Sequence, residues 1–190
     1  MKVSYRKTKF AALAAILFML GGATSHAKTL GDTLRESKWD GLIGTWVDPE
    51  TKGRNKKVAY AWKVKDHAIL ATGTAFGTNS VAIMGRNAKD GTLFHVGTDS
   101  KGTSGLGKWE VKDGEAILGL AFVTGEGVEG VMQRRYTKKD ENTLVVSIEG
   151  LTPKPIVYTL VKVKNVKTYG ATDLLIETKV AGAEWPKTYG

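Results

Sequence analysis

From Leu42 to Lys164 the chain is cut by turn residues into runs of about seven to ten, and runs that short leave little room for helices. The cuts fall at Asp66-His67, Gly77-Thr78-Asn79, Asp90-Gly91, Asp99 to Gly102, Asp113-Gly114, Gly125-Glu126-Gly127, Asp140-Glu141-Asn142 and Thr152-Pro153-Lys154-Pro155. Asp90-Gly91 and Asp113-Gly114 match two-residue hairpins, whose central positions need positive φ. No helical period separates the runs, which rules out a parallel βαβ sheet and leaves antiparallel neighbours.

Alternation then sorts the faces. Val58, Tyr60, Trp62 and Val64 share one face of their run, with Lys57, Ala59, Ala61, Lys63 and Lys65 on the other, so the first set is expected inside. Leu118, Leu120 and Phe122 alternate with Gly119 and Ala121, and Leu144, Val146 and Ile148 with Val145, Ser147 and Glu149. About ten sequential strands with one apolar face fit a closed barrel or a two-sheet sandwich. The all-β, antiparallel up-and-down barrel is the expectation, because short hairpins suit a meander and closure removes strand edges. A barrel of that size encloses more space than its own side chains readily fill, so a cavity is expected with it.

The barrel domain spans residues 42–164, and its first strand is expected in Leu42-Ile43-Gly44-Thr45-Trp46-Val47-Asp48-Pro49. Before it, residues 28–41 place Leu30, Leu34 and Trp39 near one helical stripe, with Asp32 or Thr33 as the cap of a short plugging helix. Trp39 and Trp46 are expected to close one barrel end. Residues 1–27 have the layout of a secretory signal: basic Lys2, Arg6, Lys7 and Lys9, an apolar run from Ala11 to Ala23, and small-residue cleavage chemistry at Ser25-His26-Ala27. The apolar run is short for a membrane span, which needs about 20 residues. Residues 165–190 lose the strand pattern, and they read as an extension wrapping the barrel through Leu174, Ile176 and Trp185.

Removing the signal leaves 24 basic against 19 acidic residues, a net charge of +5, too mild to argue for nucleic acid. The chain contains no cysteine, so disulfides, thiol catalysis and lipid attachment at an N-terminal cysteine are all excluded. The expected address is periplasmic or extracellular.

Gly44-Thr45-Trp46, entered from a short helix, resembles the Gly-x-Trp opening of lipocalin-like, or calycin, barrels. The span from residue 34 to 164 is similar to a group of bacterial secreted proteins that start Leu-x-Gly-Thr-Trp and continue as a ladder of Asp-Gly hairpins. The resemblance implies a barrel holding a small hydrophobic molecule, including an anionic, lipid-like one. It also implies that Trp46 packs at the barrel base against an Arg from a late strand, for which Arg134 or Arg135 are the candidates. Fatty-acid-binding barrels hold a carboxylate with an Arg-x-Tyr pair, and Arg134 and Tyr136 have that spacing. Residues two apart on a strand share a face, but parity alone does not say which. Arg134 outside, beside Lys138 and Lys139, is the competing arrangement.

The expected ligand-binding set is Tyr60, Trp62, His95, Trp109, Leu118, Leu120, Phe122, Arg134 and Tyr136, with Trp39, Gly44 and Trp46 as the base. His95 is also the candidate axial ligand if the cofactor were haem, although a hydrogen-bonded strand histidine is the plainer alternative. No metal site is expected, since no second His, Cys or carboxylate stands at ligand spacing. Gly125 to Gly130 spells the dinucleotide fingerprint, yet a strand follows it and two glutamates would repel phosphate. Ser104 lies outside a nucleophile elbow, and no catalytic constellation emerges. Arg54 to Lys57 and Arg134 to Lys139 are basic but lack the interleaved exposed aromatics of a nucleic-acid face. A membrane-spanning barrel conflicts with Lys57, Lys63 and Lys65 on an outer wall. A filled barrel acting as an envelope interaction module is the alternative to a ligand carrier.

Overall fold

The computed structural model describes residues 28–163, so the signal-like segment and the C-terminal extension lie outside the described residues. Helix α1 (Leu30–Glu36) and a 3-10 turn (Asp40–Leu42) lead into ten strands. These are β1 (Gly44–Val47), β2 (Lys56–Val64), β3 (Ala68–Ala75), β4 (Thr78–Arg86), β5 (Leu93–Asp99), β6 (Ser104–Lys112), β7 (Glu115–Val123), β8 (Glu129–Asp140), β9 (Thr143–Glu149) and β10 (Ile156–Lys162). Every strand pairs antiparallel with its sequence neighbours, and β1 closes on β10 through Trp46 opposite Lys162 and Val47 opposite Val161. The result is a closed up-and-down barrel, consistent with a lipocalin-like architecture, and a sandwich is excluded.

Alternation works as expected along most strands. Tyr60, Ile69, Met84, Leu118, Tyr136, Leu144, Val146 and Leu160 form one buried core inside the ring. Val64 departs from the expected inward set. The β2–β3 register shifts between Trp62 and Val64, and Val64 ends 54% exposed; a bulge breaks the period of two beyond it.

Two expectations about turns also change. Asp113-Gly114 is a two-residue hairpin, with φ of 53° and 81° joining Lys112 to Glu115. Asp90-Gly91 is not. Its strands end at Arg86 and resume at Leu93, and the longer loop is held by the Asn87 side chain accepting from the Lys89 amide and Asp90 from the Thr92 amide. Short polar side chains can capture amides beyond their own position, which stabilises a wide loop as well as a tight one. The second tight hairpin is Phe76-Gly77, one residue earlier than the expected break, with φ of 52° and 74°.

Helix α1 begins earlier than expected as well. Thr29, not Asp32 or Thr33, is the cap, and Asp32 completes a capping box by accepting from the Thr29 amide at 2.9 Å while donating its own amide to Thr29 Oγ1 at 3.1 Å. The helix covers one end of the barrel. Gly31 donates to the Asp66 carbonyl of the β2–β3 turn, and Trp39 Nε1 to the Gly114 carbonyl of the β6–β7 turn. Trp39 and Trp46 are 1% and 2% exposed there.

Each of these tryptophans is capped by a lysine. Lys138 Nζ lies 4.3 Å from the Trp39 ring centre and donates to the Lys38 carbonyl. Lys162 Nζ lies 5.4 Å from the Trp46 ring centre and donates to the Gly41 carbonyl at 2.6 Å. The arginine expected against Trp46 does not occur: the cation there is Lys162 of β10, while Arg134 lines the lumen and Arg135 pairs with Glu115 outside it. A lysine on the closing strand can stitch the plug to the barrel because Lys162 is the cross-strand partner of Trp46 itself.

Candidate functional site

Above the plug, the lumen holds a cavity of about 270 Å³. That is many times the roughly 10–15 Å³ required by one water, so the space is more than a packing fault. Val58, Leu118, Leu120, Phe122 and Met132 supply apolar wall. A polar group gathers within it: Tyr60, His95, Trp109, Arg134 and Tyr136. The wall is thin on its β5 and β6 side, where Gly97 and Gly105 face each other across the strands.

Alternation on β8 separates two adjacent arginines. Arg135 turns outward, where its guanidinium meets Glu115 at 2.6 Å, and Thr137 donates to the same carboxylate. Arg134 turns inward, sharing the face of Tyr136, so the outward arrangement beside Lys138 and Lys139 does not occur; Lys138 itself points to the base. Arg134 makes no salt bridge among the described residues, and its Nε is buried without a partner.

Its polar neighbours are phenols. Tyr136 acts on it most strongly, followed by Tyr158 and Tyr60. Burial pushes the Tyr60 phenol well above its ordinary range, and burial with Tyr136 pushes Tyr158 up to about 12. At neutral pH the Tyr60 and Tyr158 rings are therefore uncharged and offer dipoles only. The guanidinium, which is always charged, thus sits in the lumen with no salt-bridge partner among the described residues.

The aromatic members form a chain across the barrel. Tyr60 and Tyr136 share a long hydrogen bond of 3.3 Å between their hydroxyls. Tyr136 tilts against Trp109 at 5.4 Å, and Trp109 meets His95 edge-on at 6.0 Å. His95 Nδ1 and Trp109 Nε1 are buried without hydrogen-bond partners. Burial first, and the charge of Arg134 second, hold the His95 imidazolium down to about 4, so the ring is neutral at pH 7. His95 is therefore a lumen residue and not a hydrogen-bonded strand histidine.

Of the nine residues expected to touch ligand, eight line the cavity: Tyr60, His95, Trp109, Leu118, Leu120, Phe122, Arg134 and Tyr136. Trp62 does not. It shares the inward face of β2 and packs against the core, with Lys65 Nζ 5.4 Å from its ring centre. Gly44 stands at the base, where a side chain would strike Lys162 and φ is +134°. Sequence reasoning missed Met132 and Tyr158, though both were detectable. Met132 is two residues before Arg134, and Tyr158 alternates with Ile156 and Leu160.

Among the described residues no cluster of metal-ligating side chains occurs. Asp99 is the one carboxylate lining the cavity, and its Oδ1 is committed to the Lys101 and Thr103 amides. No helix of the described residues is long and apolar enough to cross a membrane. No protein-family model and no curated protein matches the chain.

Proposed function

We propose that this protein is an exported lipocalin-like carrier, periplasmic or secreted, that holds a small amphipathic anion in its barrel. The anionic head rests on Arg134 among Tyr60 and Tyr136, and the apolar part lies along Val58, Leu120, Phe122 and Met132. The single observation carrying this is the lumen guanidinium with no carboxylate partner among the described residues. Burying a charge without compensation is unfavourable by several kcal/mol, so a group kept in that state is matched to a counter-charge from outside. A carboxylate fits the planar fork of donors, and a phenol adds one more hydrogen bond.

The cavity weighs against the filled-barrel alternative, whose lumen would be packed through. Export is supported by the basic and apolar sectors of residues 1–27. Calorimetric titration with octanoate and with octanol tests the carrier reading. Octanoate is expected to bind at least tenfold tighter than octanol, and Arg134→Met is expected to erase the difference. Equal affinity for acid and alcohol in the unaltered protein would overturn it.

A further inference from the structure

His95 stands in the same lumen as Arg134, and its environment is unusually short of counter-charge. Its register partners are Met84 on β4 and Gly107 on β6. Trp109 of β6 lies against its ring, β8 supplies Arg134 and Tyr136 and β2 supplies Tyr60, while Tyr158 of β10 acts on Arg134. Asp99, on its own strand, is the only carboxylate among the cavity-lining residues and is engaged by two backbone amides. Among the described residues Arg134 is the charged group that acts on His95, and it opposes a second positive charge.

We propose that His95 is a proton-linked second anchor of the cavity, neutral when the barrel is empty and protonated when an anion occupies Arg134. This rests on the lumen being an anion site. Burial is the larger cause that disfavours imidazolium and Arg134 the smaller; an anion on the guanidinium cancels the second and adds an attraction of its own that offsets the first. The ring then has two N–H donors in place of one, and Nδ1 no longer lacks a role. Capture of the anion and uptake of a proton become one linked event, so affinity rises as the medium acidifies.

Octane-1-sulfonate is the probe, because a sulfonate stays ionised across the range and contributes no titration of its own. The ring protons of His95 are followed by NMR in the protein without residues 1–27, where His67 is the only other histidine and serves as an internal reference. The His95 resonance is expected to titrate near 4 in the free protein and at about 6 with sulfonate bound. That change implies about tenfold tighter sulfonate binding at pH 5 than at pH 7.5, with net proton uptake seen in buffers of different ionisation heat. His95→Gln and His95→Asn are both expected to lose the pH dependence and the proton uptake.

Two outcomes count against the idea, and they separate it from the carrier reading. Sulfonate binding that needs Arg134 but leaves the His95 titration unmoved overturns the proton linkage alone. No binding of sulfonate or octanoate at any pH overturns both.

Discussion

Replacing Arg134 with Met should make the empty barrel more stable, the reverse of the usual result for an inward-facing residue. Methionine keeps the unbranched stem and discards the charge. In the folded protein the guanidinium has no salt-bridge partner among the described residues and a buried, unmatched Nε, while Tyr60 and Tyr158 beside it are neutral at pH 7. Leaving one buried donor unsatisfied costs about 1–3 kcal/mol, and desolvating a lone charge adds to that. Part of Arg134 faces the cavity, where water relieves some of the penalty. The expected net gain is about 2 kcal/mol, or roughly 4–8 °C in Tm for a domain of this size. Urea denaturation at pH 7.5, followed by tryptophan fluorescence without ligand, reads it as a higher midpoint at unchanged slope. Adding octanoate at about 100 times its Kd for the unaltered protein should close most of that gap, since binding adds about 2.7 kcal/mol to the unaltered protein and about 1.4 kcal/mol to a variant that binds tenfold more weakly. If Arg134→Met instead destabilises the ligand-free barrel by a kcal/mol or more, the guanidinium is well compensated and the argument for an outside anion fails.

Other expectations follow from the same geometry. Lys162→Met should lower stability by about 1–2 kcal/mol, through loss of the ammonium above Trp46 and its hydrogen bond to Gly41; unchanged thermal unfolding would show that the closing strand needs no such stitch. His95 is held down to about 4 in the fold against an unfolded value near 6.5, so its contribution is complete above pH 6.5 and is lost as pH falls toward 4. The loss is at most about 3 kcal/mol, nearer 2 after solvent screening, and His95→Gln should flatten that slope in ligand-free denaturation curves. Asp48 accepts from the Thr51 hydroxyl and from the Thr51 and Lys56 amides, which lower its carboxyl below the ordinary range. Its support for the β1–β2 loop is present above about pH 4 and is lost on further acidification, so amide exchange at Thr51 and Lys56 should quicken there, and Asp48→Asn should show fast exchange already at neutral pH.

The strand ladder was legible because turn chemistry and a period of two are local. Asp113-Gly114 needs nothing beyond its own φ angles to make a hairpin, and Leu118, Leu120 and Phe122 share a face whatever they pack against. The Arg134 and Tyr136 pair was visible in the same way, as two residues of equal parity. Asp90-Gly91 shows where local chemistry stops: the same dipeptide sits in a wide loop because neighbouring side chains capture the amides.

What the amino-acid order determined by itself was relative: which residues lie together, where strands turn, and that Trp46 opens the first of them. Only the closed ring decided what is inside. Arg134 and Arg135 are adjacent and chemically identical, and it is the curl of the sheet that gives one an outer glutamate and the other an unmatched place in the lumen. Contacts such as Tyr60 to Tyr136 or Lys162 to Gly41 join residues far apart in the chain, and local periodicity carries no information about distances across a barrel.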